Sequence, residues 1–128
     1  MVSNSVFESK EMYLESILLL LKSNSAPHAK DLAEYMNFSR PSVSRALSSL
    51  ESAGLVFRDG DDVISLTREG RMIAESVYEK HLVITDFLVL IGVDRQVAER
   101  DACKFEHVIS EETFSRIKDF VGNSLGNV

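Results

Sequence analysis

The chain has 128 residues, 45% of them hydrophobic, and a formal net charge of −6 at pH 7. That length buries a real core but leaves no room for a large catalytic domain; two small units would use all of it. No apolar run approaches the roughly 20 residues of a membrane span, and the start, MVSNSVFESK, lacks the basic-then-apolar layout of a signal peptide. A cytoplasmic protein with no membrane partner is expected. The single cysteine, Cys103, excludes an intramolecular disulfide and suits a reducing compartment.

From Ser5 to Leu21, Val6, Met12, Tyr13, Ile17, Leu20 and Leu21 recur at helical spacing, and Ser23, Asn24 and Ser25 break the run. A second, short amphipathic helix spans Lys30 to Met36, with Leu32, Ala33 and Met36 inward. Ser39 is a good N-cap, Pro41 falls in the first turn, and Val43, Leu47 and Leu50 mark the inner face of a third helix ending near Ser52. After Ala53 and Gly54, two extended runs, Leu55 to Arg58 and Val63 to Leu66, flank the tip Asp59, Gly60, Asp61, Asp62 and predict a β-hairpin. Thr67 caps a long helix, Arg68 to Leu90, with Ile73, Val77, Leu82, Phe87, Leu88 and Ile91 as its apolar positions. Gly92 ends it. Asp94 caps a helix to about Val108, Ser110 caps another from Glu111 to Phe120, and the tail GNSLGNV is expected to fray.

Three helices and a hairpin in this order form a winged helix-turn-helix pattern, whose third helix enters the DNA major groove. The fold class is therefore mainly α: a winged helix-turn-helix DNA-binding domain over 1–70, then an all-helical domain over 71–128. With Val43, Leu47 and Leu50 inward, Pro41, Ser42, Arg45 and Ser49 face out. Arg45 suits the O6 and N7 of guanine, and the serines with the helix N-terminal N–H groups suit phosphate. An ordinary three-helix bundle is the competing reading. An acidic chain is repelled from DNA at long range, so the distribution of charge matters. Between Met36 and Arg58 the ionisable groups are Arg40, Arg45, Glu51 and Arg58, a local positive excess, whereas Asp59, Asp61 and Asp62 at the hairpin tip predict a tip turned away from DNA. From Asp94 to Val128, seven acids stand against five bases, which suits cation binding.

Cys103, Glu106 and His107 fall at i, i+3 and i+4 of the helix from Asp94, which predicts one face bearing a thiol, a carboxylate and an imidazole. All are metal-ligand types; alone, they read equally well as a core hydrophobe, a solvated charge and a core histidine.

Over residues 8 to 120 the chain resembles the diphtheria toxin repressor and manganese transport regulator family. The matching segments are KEMYLESI, SRPSVSRALSSLESAGLV, LTREGR, KHLVITDFL and DACKFEHVISEE. The resemblance implies that Met12 joins Cys103, Glu106 and His107 in one metal site, and that Glu15 and His81 belong to a neighbouring one, with Glu99 reaching in. It also places Ser39, Arg40, Pro41, Ser42, Ser44, Arg45 and Ser49 on the DNA-binding helix, with Pro41, Ser42, Ser44 and Arg45 where the family touches DNA. It implies a short form without the SH3-like domain of longer members. Thr85 stands where the iron-sensing branch often has a carboxylate.

The expected function is that of a metal-dependent repressor, not an enzyme, that binds double-stranded operator DNA as a homodimer when loaded with Fe(II) or Mn(II), and controls metal homeostasis. The sulfur donors Met12 and Cys103 favour Fe(II), with Mn(II) second. Two divalent ions would move the formal charge from −6 to −2. The rival reading is a metal-independent winged-helix repressor that senses a small organic ligand.

Overall fold

A computed structural model describes the backbone of residues 2–124 and the side chains of residues 9–124. In chain order the elements are α1 (Val2–Ser23), α2 (Ala29–Met36), α3 (Arg40–Ser52), β1 (Val56–Arg58), β2 (Ile64–Leu66), α4 (Arg68–Leu90), α5 (Arg95–Phe105) and α6 (Glu111–Ser124). Two compact units divide within α4, one over 1–75 and one over 76–128.

In the first unit, Tyr13, Leu14, Ile17, Leu18 and Leu20 of α1 are buried together with Leu32 and Ala33 of α2 and Val43, Leu47 and Leu50 of α3. Met36, expected inward, is only half-buried, and the side chain of Val6 lies outside the described residues. Asn37 takes the left-handed conformation (φ 59°) and closes α2, with its N–H and that of Phe38 returned to Glu34 and Ala33 carbonyls. Ser39 caps α3 as expected, its Oγ accepting the Ser42 N–H at 3.2 Å. Gly54 ends the helix turn at φ +75°, a conformation that L side chains rarely adopt. The antiparallel hairpin then pairs Val56 with Leu66, Phe57 with Ser65 and Arg58 with Ile64. Val56, Ile64 and Leu66 point to the core, as the period of two requires.

At the hairpin tip, the Asp59 carboxylate accepts the N–H groups of Asp61 (2.8 Å) and Val63 (3.0 Å). One tip acid is thus committed to closing the turn. The tip is tethered to the start of α2 by His28 Nε2, 2.9 Å from the Asp61 carbonyl oxygen, and by the Ile64 N–H donated to Pro27 O at 2.8 Å.

In the second unit, Ile84, Leu88, Ala98, Ala102 and Phe114 form the core, with Val83, Phe87, Val89, Val93 and Ile109 packed on it. The bounds of α4 are those predicted, and Val77 and Leu88 are buried as expected, but the rest of its buried stripe differs. Leu82 and Ile91, expected inward, are 46% and 58% exposed, while Ala74, Ile84 and Thr85 are buried. Five residues beyond the buried Val77, Leu82 stands about 140° round the axis. Ile91 lies past the end of the helix. Asp94 caps α5 by accepting the Gln96 N–H, and Ser110 Oγ accepts the Thr113 N–H at the start of α6. Residues 122–124, expected in a frayed tail, complete α6; the rest of that tail, 125–128, lies outside the described residues. The ion pairs Lys80–Glu111 (2.9 Å) and Lys118–Glu79 (2.6 Å) link α4 to α6.

Candidate functional site

On α3 the residues predicted to face DNA are exposed, except Ser42, which is half-buried. Ser39 and Ser42 share a hydrogen bond of 2.9 Å, and Ser42 Oγ lies 3.5 Å from Arg45 Nη2, which steers the guanidinium back along the helix. The local positive excess is smaller than the sequence implies. Arg58 is held side-on by Glu51, with Nη2–Oε1 at 2.8 Å and Nε–Oε2 at 3.1 Å. That pairing holds the Glu51 carboxyl below its ordinary pKa and raises that of Arg58. Glu51 therefore offsets Arg58 and leaves Arg40 and Arg45 as the cations of this stretch.

Sequence periodicity missed one feature of this surface. Lys30 of α2, Arg40 and Ser44 of α3, and Arg58 of β1 line one open cleft, together with His28 and Asp62. Their convergence depends on the α2–α3 turn and on the fold-back of the hairpin. The only local signal was the unusual placement of His28, a ring nitrogen donor directly before a helix.

The second constellation lies in the second unit. The prediction that Cys103, Glu106 and His107 share a helix face is corrected: α5 ends at Phe105, and the chain tightens into a turn in which the His107 N–H reaches Lys104 O at 3.4 Å. Cys103 is exposed on the last turn of α5, whereas Glu106 is only 2% exposed. His81, from the middle of α4, closes the gap between them. Its Nδ1 is 2.9 Å from Glu106 Oε1 and 3.8 Å from Cys103 Sγ. The Cys103 sulfur, then the Glu106 carboxylate, push the His81 pKa up to about 10. Tyr78 stacks on its ring at 6.5 Å between centroids. His107 Nε2 stands 3.5 Å from Glu106 Oε2. Glu99, one turn before Cys103, lines a cleft with His81, Gln96, Arg100 and Cys103. Met12 and Glu15 are half-buried on α1, in the first unit.

These residues fit a divalent ion. Among the described residues, buried Glu106 Oε2 accepts no hydrogen bond and has only the His107 ring nearby, at 3.5 Å, an arrangement that costs free energy unless a cation completes it. Imidazole, thiol and carboxylate donors of His81, Cys103 and Glu106 lie within 4.8 Å of one another. Thr85 Oγ1, one turn from His81, is the other buried oxygen without a partner among the described residues.

Comparison with known proteins gives the same division of labour. The model of the iron-dependent repressor N-terminal DNA-binding domain matches residues 5–61, and that of the iron-dependent repressor metal-binding and dimerisation domain matches residues 67–125. The iron-dependent repressor IdeR of Mycobacterium tuberculosis is 34% identical over 121 residues, covering 94% of this chain and 53% of the relative. An uncharacterized HTH-type transcriptional regulator of Methanocaldococcus jannaschii, MJ0568, is 35% identical over 116 residues, covering 89% of this chain and 93% of the relative. The solved structure of the manganese regulator SloR superposes with a TM-score of 0.79 at 31% identity, covering 88% of this chain and 53% of that one. The chain thus spans about half the length of the iron and manganese regulators it matches and most of the length of the archaeal one.

Proposed function

Because the chain belongs to the iron-dependent repressor family, we propose that it is a divalent-metal-dependent transcriptional repressor, which binds operator DNA as a homodimer when loaded with Fe(II) or Mn(II) and so controls metal homeostasis. The observation that carries this reading is the buried Glu106 Oε2, which accepts no hydrogen bond among the described residues, beside imidazole and thiol donors. A bound divalent ion supplies two positive charges and a demand for fixed donor geometry. His81, Glu99, Cys103, Glu106 and His107 are the donors proposed from the second unit, and the family resemblance adds Met12 and Glu15 as donors from α1.

On the DNA side, Arg45 reads a base edge, while Ser39, Arg40, Pro41, Ser42, Ser44 and Ser49 allow close approach or hold phosphate. DNA affinity rises with metal only if metal is held more tightly in the DNA-binding form, and operator DNA must then raise metal affinity by the same factor. For the homodimer, the support is the exposed apolar set of the second unit: Leu82, Leu90, Ile91, Phe105, Val108 and Phe120. Among the described residues no helix is long and apolar enough to cross a membrane, consistent with a cytoplasmic regulator.

The test is binding to the DNA upstream of the protein's own coding sequence, followed by fluorescence anisotropy with Fe(II), Mn(II), Zn(II) or chelator. Chelator is expected to weaken specific binding at least about tenfold, a coupling of about 1.4 kcal/mol. Equal affinity with metal and with chelator would overturn the reading in favour of metal-independent repression.

A further inference from the structure

The hairpin of the first unit is short, with strands of three residues each joined by residues 59–63. The connection closes on itself: Asp59 Oδ1 accepts the Asp61 and Val63 N–H groups, and the Asp62 N–H returns to Asp59 O at 2.9 Å. Those bonds shape the tip but do not decide where it stands. Its place is set at the start of α2. Buried Pro27 accepts the Ile64 N–H at 2.8 Å, and the next residue, His28, sets Nε2 2.9 Å from the Asp61 carbonyl oxygen. A carbonyl only accepts, so Nε2 carries the proton and donates it. The ring is aimed by its own backbone, because the Asp31 carboxylate accepts the His28 N–H at 2.8 Å and fixes His28 as the N-cap of α2. Serine or asparagine would cap the helix as well but would not reach the tip.

His28 also stands on the wall of a cleft of about 430 Å³, with Lys30 from α2, Arg40 and Ser44 from α3, and Arg58 and Asp62 from the hairpin. Arg58 is spent on Glu51, so Lys30 and Arg40 are the charges the cleft offers a phosphate, with the Ser44 hydroxyl beside them. The helices make one wall and the hairpin the other. The width of the cleft therefore hangs on the tip staying where His28 holds it, and a loose tip would carry the carboxylates of Asp61 and Asp62 toward phosphate.

We propose that His28 is a positioning residue of the DNA-binding unit: its bond to Asp61 holds the acidic hairpin tip in one place and keeps open a cleft in which Lys30 and Arg40 take one backbone phosphate. This rests on the DNA-binding reading above and adds His28 and Lys30 to it. The bond is exposed to water, where one hydrogen bond adds little to stability, so its effect falls on pre-organisation rather than on folding. Backbone phosphates are the same in every sequence, so the effect is equal on operator and random DNA.

His28→Asn, His28→Gln and Lys30→Gln in the full, metal-loaded chain test this. Asparagine keeps a good N-cap and loses the reach, whereas glutamine keeps an amide donor at nearly the original length. His28→Asn should leave circular dichroism and the urea midpoint unchanged and speed amide exchange at Ile64 at least about threefold. It should weaken binding to the DNA upstream of the coding sequence and to a random duplex by the same factor, about threefold to tenfold, with metal affinity within about twofold. His28→Gln should recover most of that loss. In the Lys30→Gln background the loss caused by His28→Asn should shrink, because the two side chains act through one cleft. Should asparagine disturb the fold, His28→Ser, another good cap, takes its place. Wild-type DNA affinity in the folded variant, or an equal loss in both backgrounds, overturns the proposal alone. A wild type that binds DNA with none of the metals sinks the repressor reading and this proposal with it, before any variant is made.

Discussion

Gly70, in the first turn of α4, sits against the chain just before β1, and replacing it by alanine tests how the hairpin is fixed to the rest of the first unit. A Cβ at this position would lie 1.9 Å from the Leu55 carbonyl oxygen and 2.9 Å from its carbon. Ordinary contact is about 3.5 Å, so backbone must retreat by more than an ångström. The atoms in the way are committed elsewhere: Leu55 O accepts the Thr67 N–H at 3.1 Å, while Thr67 Oγ1 donates to Gly54 O at 2.7 Å and accepts the Gly70 N–H at 3.1 Å. Overpacking costs about 1 to 3 kcal/mol and a disrupted hydrogen bond about 1 kcal/mol, while alanine returns about 1 kcal/mol of helix propensity. Gly70→Ala should therefore destabilise by about 2 kcal/mol, a fall of about 1 M in the urea midpoint. Gly60→Ala at the hairpin tip, where a Cβ meets nothing within 4 Å, is the control and should stay within about 0.5 kcal/mol. A Gly70→Ala midpoint equal to or above that of the wild type would refute the close-approach argument.

Arg45→Ala should weaken operator binding by about 1 to 3 kcal/mol and relax base preference with metal affinity unchanged; equal losses on operator and random DNA would place Arg45 on phosphate. Thr85→Val removes a buried hydroxyl that has no partner among the described residues and should leave the metal-free chain as stable or about 1 kcal/mol more stable in urea unfolding; a clear loss of stability would mean that the hydroxyl is engaged. In the metal-free chain the His81 pKa, raised to about 10 chiefly by Cys103 and then by Glu106, lies above its unfolded value of about 6.5. Its contribution to stability is thus complete below about pH 6.5 and is lost as pH rises through about 10. Chelator-treated protein should show that loss, and His81→Gln should lack it; a His81 ring signal titrating near pH 6.5 by NMR would refute the pairing.

Local rules made much of the fold legible. Ser39, Asp94 and Ser110 cap the helices they were expected to cap, because a side-chain oxygen facing the free N–H groups of a helix start is a property of a few neighbouring residues. The stripe Val43, Leu47, Leu50 is buried for the same reason: its periodicity is complete within one short helix. Along α4 the apolar residues are too many for periodicity to choose the inner face, and the choice of Ile84 over Leu82 is made by α5 and α6 packing on it. The burial of Glu106 was hidden because it depends on where α5 ends. Nothing in the local sequence around Phe105 marks that end; the chain simply tightens there. The meeting of His81 with Cys103, 22 residues apart, is a tertiary fact, and no spacing rule reaches so far.

The difficulty that an acidic total poses for the proposed DNA binding resolves at the scale on which salt screens charge. At physiological ionic strength that scale is about 8 Å, so the total of −6 matters less than what stands on the reading face itself. There the fold removes some of the apparent positive charge, since Arg58 is neutralised by Glu51. Lys30, Arg40 and Arg45 remain, with the N–H groups at the start of α3 that Ser39 only partly satisfies. For the proposed DNA-binding face that is a small cationic inventory, which would make unassisted affinity weak. The proposed metal-dependent repression needs weak unassisted binding, so the sparse cations of α2 and α3 and the buried carboxylate oxygen of Glu106 that accepts no hydrogen bond among the described residues suit the same mode of control.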